Sequence, residues 1–282
     1  MRVPEYAERL NDLASRREAF AIATVTKTEG STLAKPGFKI LISGRGEVVR
    51  GTLGGGCPEG PICEVALRAM REGSPRIVRV HLVDAARAVA GTVQAASDNE
   101  IYVETDCGGT LEVFVEPMLP TERLILVGQG GRDDIEDALV YQGKALGFEV
   151  VVVDPMPDLR EMPDAIVNAA EIDPKAFPIG NRDSIVVLTK GERDVSVLEA
   201  LSKTEARFVG LLASRRRLKK DLEELERRGV TKDFLSRLHA PIGLDIGART
   251  PPELALAIMA DVLATKYGRD VPHKPEVEET AE

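Results

Sequence analysis

The chain has 282 residues, 43% of them hydrophobic, and a formal net charge of −9 at pH 7. Its length predicts two domains, because a single domain usually has roughly 100 to 200 residues. The negative charge argues against a nucleic-acid partner, whose phosphates the chain would repel. The longest apolar runs are far shorter than the roughly 20 residues of a membrane-spanning helix, so we expect no membrane partner.

Residues 1–120 are expected to form a first domain of mixed α and β structure. Apolar residues recur at helical spacing over 4–19 and again over 61–71, where Pro61 suits a first helical turn. Alternating β-branched and apolar runs predict strands. In chain order these are FAIATVTKT, FKILIS, EVVRGT, IVRVHLV and LEVFVEP, of which the first three fit a meander. The periodicity of the segment 84–99 supports no assignment.

Residues 121–266 are expected to form a second domain in which strands and helices alternate. RLILVG, EVVVVD, SIVVLT and RFVGLL read as strands, with helical segments between them and after the last. This alternation predicts a parallel sheet covered on both faces, the Rossmann-like doubly wound arrangement. Thr250 and Glu253 form a capping box at the start of the last helix. The polar tail, residues 267–282, is expected to be disordered.

The three cysteines and the absence of a leading signal-peptide segment predict a cytoplasmic protein with reduced thiols. One of them, Cys57, stands within Gly54-Gly55-Gly56-Cys57-Pro58-Glu59. Because Pro61 lacks an amide hydrogen, we expect the next helix to begin no earlier than Gly60, which leaves Cys57 in a loop. Successive glycines form an anion-binding nest of N–H groups, and a nearby helix N-terminus favours the reactive, metal-binding thiolate.

The same pattern recurs at Cys107, which precedes Gly108 and Gly109 at the border of a strand. The two glycine–cysteine segments are therefore candidates for facing one pocket. The alternative is that each cysteine is a small buried apolar residue and the glycines only supply turn conformations. Cys63 has helical spacing to the apolar Ala66, which predicts a core position. Scattered histidines and the lack of a Cys-x-x-Cys pair argue against structural zinc.

A glycine-rich segment also opens the second domain, where Gly128 and Gly130 follow a strand and Asp154 ends the next one. This spacing is close to the dinucleotide fingerprint, in which the acidic residue contacts the ribose, and it indicates NAD(P). Four carboxylates at the helix entrance would repel a pyrophosphate and weaken that interpretation. They belong to Asp133, Asp134, Glu136 and Asp137. A doubly wound core without a nucleotide is the alternative.

Two further segments lie where an open α/β sheet binds its ligands. Ser214 is placed to cap a helix after the strand RFVGLL, which brings Arg215 and Arg216 to the carboxyl edge of the sheet as candidates for phosphate binding. The alternative is a solvated helix face on which charged residues pair at four-residue spacing. Asp245 lies between glycines ahead of the last helix and is either a ligand contact or a turn former.

Several motifs, in this order, resemble the xanthine dehydrogenase accessory proteins, the XdhC/CoxI family. They are EGSTLAKPGFKILI, Gly55-Gly56-Cys57-Pro58-Glu59, the stretch from Cys107 to Pro117, and GLLASRRRLKK joined to HAPIGLDIGARTPPELALAIMA. The resemblance covers about residues 20–265. It implies a protein that binds the molybdenum cofactor (molybdopterin), a pterin with a dithiolene and a phosphate. Such a protein protects the cofactor during sulfuration and delivers it to a molybdenum hydroxylase.

In a protein of this kind Cys57 and Cys107 would be the molybdenum ligands. The segment Gly54 to Gly56 would contact the pterin phosphate, and Glu59 would orient the loop. The resemblance also implies an apo molybdenum hydroxylase and a cysteine desulfurase as partners, and a homodimer. Such a carrier is not expected to be an enzyme. The competing hypotheses are an NAD(P)-dependent oxidoreductase that uses the second domain, and an adaptor that contacts a desulfurase or hydroxylase without holding cofactor.

Overall fold

The computed structural model describes residues 3–83, 99–105 and 108–271. The segment 84–98, which the periodicity left unassigned, lies outside the described residues, as do Cys107 and residues 272–282 of the expected tail. The chain divides into two units, residues 1–120 and 121–282, each with its own core. Among the described helices, none has both the length and the apolar composition needed to cross a membrane.

Unit 1, residues 1–120, is built in its described part from a mixed sheet and two helices. The strand order is β3-β2-β1-β6-β4-β5, with β4 and β5 parallel and the other neighbours antiparallel. The strands are β1 (Phe20–Glu29), β2 (Lys39–Ser43), β3 (Val48–Gly51), β4 (Arg76–Val83), β5 (Glu100–Glu104) and β6 (Gly109–Met118). The antiparallel pairing of β1, β2 and β3 confirms the predicted meander.

A helix packs on each face of this sheet, because successive residues of a strand point to opposite faces. Ala21 of β1 packs in the larger core cluster with α2 (Gly56–Glu72). Its neighbour Phe20 packs on the other side with Leu13 of α1 (Val3–Ser15). The strand register is fixed by this arrangement, since a slip of one residue would exchange the two faces.

Unit 2, residues 121–282, contains a six-stranded sheet in the order β11-β9-β7-β12-β13-β14, and every neighbouring pair in it is parallel. The strands are β7 (Arg123–Val127), β9 (Glu149–Val153), β11 (Ala165–Val167), β12 (Asp183–Val187), β13 (Phe208–Leu211) and β14 (Leu238–His239). β8 (Gly131–Arg132) and β10 (Pro157–Asp158) form a separate short pair. Numbered within the unit, the order is 3-2-1-4-5-6, that of the doubly wound fold. The predicted fold class is confirmed.

Helices cover both faces of the second sheet. On one face, α3 (Asp134–Ala145) and α7 (Pro251–Lys266) pack side by side. The other face carries α4 (Asp194–Leu201), α5 (Arg215–Arg227) and α6 (Lys232–Arg237). β7 and β12 are consequently buried at every residue, and they are apolar except at Arg123, Asp183 and Ser184, as expected for a parallel sheet that is covered on both sides.

Candidate functional site

The two strands that adjoin the glycine–cysteine segments, β3 and β6, meet them at the same end of the sheet of unit 1. β1 runs toward this edge and ends at Glu29, which pairs with Thr110 near the start of β6. β3 is antiparallel to β2, which is antiparallel to β1, so β3 also ends at this edge, at Gly51. Three strand spacings of about 4.8 Å separate β3 from β6, so the two segments start roughly 14 Å apart.

The loop at residues 30–34 contacts both segments. Gly54 has a φ of +102°, and a Cβ added there would lie 2.5 Å from the Ala34 nitrogen. Gly109 has a φ of +134°, and a Cβ added there would lie 2.7 Å from the carbonyl oxygen of Glu29 and 3.1 Å from that of Ser31. Both positions therefore require glycine, by conformation and by the closeness of the neighbouring backbone. These two glycines hold both segments against one loop.

A carboxylate fixes the turn between β3 and α2. Glu59 Oε1 accepts hydrogen bonds from the hydroxyl of Thr52, at 2.9 Å, and from the buried amide of Leu53, at 3.1 Å. Thr52 Oγ1 in turn accepts from the amides of Gly54, at 3.1 Å, and Gly55, at 3.3 Å. The turn is thus held by its own side chains, with Glu59 bonded back from the helix.

The helix after this turn begins earlier than the sequence predicted. α2 starts at Gly56, so Cys57 lies in its first turn and the prediction of a loop position was wrong. Pro61 stands at the sixth helical position, where its missing amide hydrogen removes one hydrogen bond while the helix continues. The amides of a first turn have no intrahelical acceptor, so this helix end carries positive potential.

The expected phosphate contacts change with this helix start. The amides of Gly54 and Gly55 donate to Thr52, so they are not the free donors that the glycine pattern predicted. The N–H groups left without an intrahelical acceptor are those of the first turn, from Gly56 onward. A Cβ added at Gly55 would meet no atom of the described residues within 4 Å, so the space beside the turn is open.

The remaining predicted residues of unit 1 divide between core and edge. Cys63 is buried in the core against α2 neighbours, as predicted. Gly108 is exposed, and a Cβ there would also meet no described atom within 4 Å. Within the described residues, no group of three His, Cys, Asp or Glu side chains is arranged to hold a metal ion. Cys107 and the side chain of Cys57, the two predicted molybdenum ligands, lie outside that description.

In unit 2, Gly128 and Gly130 lie at the carboxyl end of β7, and Asp154 follows β9 beside them. Asp154 is 1% exposed, and both of its oxygens accept backbone hydrogen bonds. Oδ2 accepts from the amide of Gly130 and Oδ1 from the amide of Met156, each at 2.7 Å. The carboxylate expected to contact a ribose thus joins two turns of the protein itself.

Glu136, in the first turn of α3, is buried beside the same glycines. It is 1% exposed, and its Oε1 has no hydrogen-bond partner among the described residues. Oε1 lies 2.6 Å from the position that a Cβ on Gly128 would take. Desolvation, followed by repulsion from neighbouring carboxylates, raises the pKa of Glu136 to about 8. The carboxylates are those of Asp154, Asp133 and Asp137.

Two cations approach this crevice from the chain that follows β12. Lys190 Nζ lies 2.9 Å from Asp133 Oδ2, and Arg193 Nη2 donates to the Gly128 carbonyl at 2.5 Å. The sequence pattern identified Glu136 only as one of four acidic residues and did not single out Arg193. A signal for the burial of Glu136 was its helical spacing to the apolar Leu139, which is itself buried.

The predicted residues around α5 and α7 lie toward the same carboxyl edge of the sheet but at the surface. Ser214 caps α5, as predicted, and accepts a hydrogen bond from the amide of Arg217 at 3.4 Å. Arg215 and Arg216 are exposed, whereas Arg217 pairs with the buried Asp194. Asp245 is exposed in the loop before α7. The structure brings none of these side chains into the crevice at Gly128.

Two family models match this chain. The model described as the XdhC and CoxI family matches residues 13–81, which include the turn before α2. The model described as the XdhC Rossmann domain matches residues 124–262, which include the crevice at Gly128. Each of the two units is therefore matched by its own model.

Relatives match over most of the chain. The uncharacterized protein YqeB of Escherichia coli K12 is 30% identical over 253 residues, which are 88% of this chain but 43% of that protein. The chain thus spans less than half the length of this relative. A protein of Bacillus subtilis 168, named as a probable xanthine dehydrogenase subunit, is 23% identical over 329 residues, 91% of this chain and 96% of that protein. A crystal structure of a xanthine dehydrogenase from Bacillus halodurans has 22% identity and a TM-score of 0.42, and the match covers 95% of this chain and 97% of that one.

Proposed function

The chain belongs to the XdhC and CoxI family, and on this premise we propose that it is an accessory protein of a xanthine dehydrogenase-type molybdenum hydroxylase. It binds the molybdenum cofactor as cargo, protects it during sulfuration and delivers it to the apo-hydroxylase. In this role it is a carrier and not an enzyme. A cysteine desulfurase, which supplies the sulfur, and a second copy of the chain are its further partners, and it acts in the cytoplasm.

One observation carries the proposal. Gly54 and Gly109, one from each glycine–cysteine segment, lie at the same end of the sheet of unit 1 and pack against the backbone of residues 29–34. In the sequence, Cys57 follows Gly54 by three positions and Cys107 precedes Gly109 by two. We therefore propose that both thiols serve one ligand.

The chemistry of this edge fits the cargo. A thiolate is a metal ligand, and a helix N-terminus favours its formation at Cys57. The first-turn amides of α2, from Gly56 onward, suit the phosphate of the pterin side chain. Glu59 holds the turn in shape through Thr52 and Leu53. The open space at Gly55 leaves room for a ligand against the backbone.

The test is retention of the cofactor. The protein is produced together with its client hydroxylase and purified, and molybdenum is measured by elemental analysis and pterin by fluorescence. We expect stoichiometric molybdenum and pterin on the native protein and loss of both in Cys57→Ala. Cys63→Ala, which removes a buried thiol from the same helix, is the matched control and keeps both. Undiminished retention in Cys57→Ala would refute the role of that thiol.

The NAD(P)-dependent oxidoreductase remains the competing function because the strand order of unit 2 is that of nucleotide-binding folds. Against it stand the backbone bonds of Asp154 and the buried carboxyl of Glu136. Calorimetric titration with NAD(H) and NADP(H) separates the two functions. We expect no micromolar binding; micromolar binding that is lost in Asp154→Ala would favour the oxidoreductase.

A further inference from the structure

Glu136 is a buried carboxyl of unit 2 that has an oxygen without a hydrogen-bond partner among the described residues. At the opposite end of the sheet Arg123 and Asp183 are both buried and are joined by hydrogen bonds of 2.9 and 2.6 Å. Glu136 is equally buried, yet its Oε1 has no hydrogen-bond partner among the described residues. A buried carboxyl oxygen without a partner destabilises a fold. A ligand that donates a hydrogen bond would supply the missing partner.

The position of Glu136 is that of a ligand site in sheets of this topology. β7 and β12 are neighbours in the sheet, and the chain leaves them toward opposite faces, to α3 on one face and α4 on the other. The crevice between such strands, at their carboxyl ends, is where open α/β sheets bind ligands. Glu136 stands in the first turn of α3 with Oε1 against Gly128, directly after β7.

The charges around the crevice select the chemistry of that ligand. Asp133, Asp137 and Asp154 carry negative charge beside Glu136 and disfavour a phosphate. Asp133 already pairs with Lys190, and Asp154 already holds two backbone amides. The group that fits Glu136 is therefore a hydrogen-bond donor without negative charge. Two adjacent N–H donors in one plane match a carboxylate best, as the guanidinium group does.

We infer that Glu136 recognises the 2-amino-pyrimidinone edge of a bicyclic heterocycle, the edge that pterin and guanine share. This edge presents a ring N–H and an exocyclic amine side by side. The inference rests on the proposed function, since the proposed cargo contains a pterin, and it concerns the residues of unit 2 by themselves. Glu136 is 1% exposed, so a ligand reaches it only when the neighbouring chain moves.

The protonation of Glu136 gives an independent readout. Burial and the carboxylates of Asp154, Asp133 and Asp137 raise its pKa to about 8, against the lowering effect of Lys190. The free protein therefore holds the proton at pH 7. Pairing with two N–H donors favours the ionised carboxylate, so binding at pH 7 releases a proton to the buffer. Calorimetry in buffers of different ionisation enthalpy measures that release.

The experiment compares ligands that differ by one donor. The full chain, free of cofactor, is titrated with pterin and with lumazine, in which a carbonyl replaces the 2-amino group, and with guanosine and inosine as the second such pair. We expect at least tenfold weaker binding of whichever ring lacks the amine, as for the loss of one bidentate contact. Glu136→Gln abolishes that discrimination. Asp134→Asn makes the same change from carboxyl to amide at an exposed side chain of the same helix turn and preserves the discrimination.

Each result of these titrations has one interpretation. Preference for pterin identifies the cofactor ring as the ligand, and preference for guanosine identifies a guanine nucleoside. Equal binding of the rings with and without the amine, or no binding of either pair, overturns the inference, and the native protein alone decides this even if Glu136→Gln fails to fold. Cofactor retention through Cys57 is measured separately. Retention without discrimination refutes the role of Glu136 alone, whereas failed retention refutes the carrier function.

Discussion

The chain contains two glycine-rich turns from a strand into a helix, and they differ in what their carboxylates do. Before α2, Glu59 bonds to the turn itself and leaves the first-turn amides facing open space beside Gly55. Before α3, Glu136 and Asp154 converge on Gly128 and fill the position that a side chain there would take. The glycines set similar backbone paths in the two turns, and the carboxylates decide which helix end attracts an anion.

This contrast is the reason for proposing a phosphate at one turn and a donor-rich ring at the other. A helix N-terminus attracts anions through its unpaired amides and its dipole. At α2 nothing in the described residues opposes that attraction except Glu59, whose Oε1 is already bonded to the turn. At α3 the acidic residues of the first turn oppose it. Each of the following predictions changes one side of the comparison.

The largest effect is expected for the pH dependence of unit 2. The pKa of Glu136 is raised from 4.5 to about 8 in the folded state, so the folded chain holds more protons than the unfolded chain between these values. The contribution of Glu136 to the free energy of unfolding is therefore fully present below about pH 4.5. It falls as the pH rises to about 8, by up to about 4 kcal/mol. Urea unfolding of unit 2 measures the slope. Glu136→Gln should flatten it, and an unchanged slope would show that Glu136 is not buried with its proton.

A smaller effect is expected from the glycines of the turn before α2. Gly54→Ala should destabilise unit 1 by about 3 kcal/mol, because the new Cβ meets the backbone of Ala34 and φ is positive. Gly55 also has a positive φ, but a Cβ there meets no described atom within 4 Å, so Gly55→Ala should cost about 1 kcal/mol. Chemical denaturation of both variants checks the difference. Equal losses would mean that residues 30–34 do not pack against this turn.

Removal of the carboxylate that holds this turn is expected to act on stability and on cargo together. Glu59→Ala leaves the buried amide of Leu53 without its acceptor, at a cost of about 2 kcal/mol, and should lower cofactor retention. Asp154→Ala, in the other turn, also frees backbone amides but should lower the molybdenum content less, because the molybdenum ligands are proposed in unit 1. Loss of molybdenum in Asp154→Ala with full retention in Glu59→Ala would reverse the roles of the two turns.

The smallest effect is expected at the exposed arginines in the first turn of α5. Arg215→Ala and Arg216→Ala should each change the free energy of unfolding by no more than about 0.5 kcal/mol, because both side chains lie in solvent. Phosphate binding by these arginines is tested by cofactor retention in the double variant. A normal molybdenum content would mean that Arg215 and Arg216 belong to a solvated helix face and do not bind phosphate.

Much of the fold could be predicted from the sequence. Strand runs such as RLILVG, which are continuously apolar after the first residue and alternate with helical segments, specify a parallel sheet because such strands are buried on both faces. The sequence prediction placed the start of α2 too late, because it assumed that Pro61, which lacks an amide hydrogen, cannot stand beyond the first helical turn. At Pro61 one lost bond is tolerated beside the packing of α2 on the sheet.

The contacts of the candidate site were harder to predict from the sequence than the fold, for a physical reason. Spacing identified Gly128, Gly130 and Asp154 as neighbours, and the structure does bring them together. The partner of each carboxylate oxygen, however, depends on the closeness of backbone groups from other turns, such as the amide of Met156. Burial of Glu136 likewise depends on how α3 sits against β7, which no local pattern specifies.

Transfer of the cargo tests the carrier function most directly. The chain, loaded with cofactor by co-production, is mixed with the metal-free apo-hydroxylase, the two proteins are separated, and molybdenum and pterin are measured on each. We predict that both move to the hydroxylase together, that activity appears in proportion, and that protein purified as Cys57→Ala transfers neither. Molybdenum and pterin that remain on the chain, or equal transfer from Cys57→Ala, would contradict it.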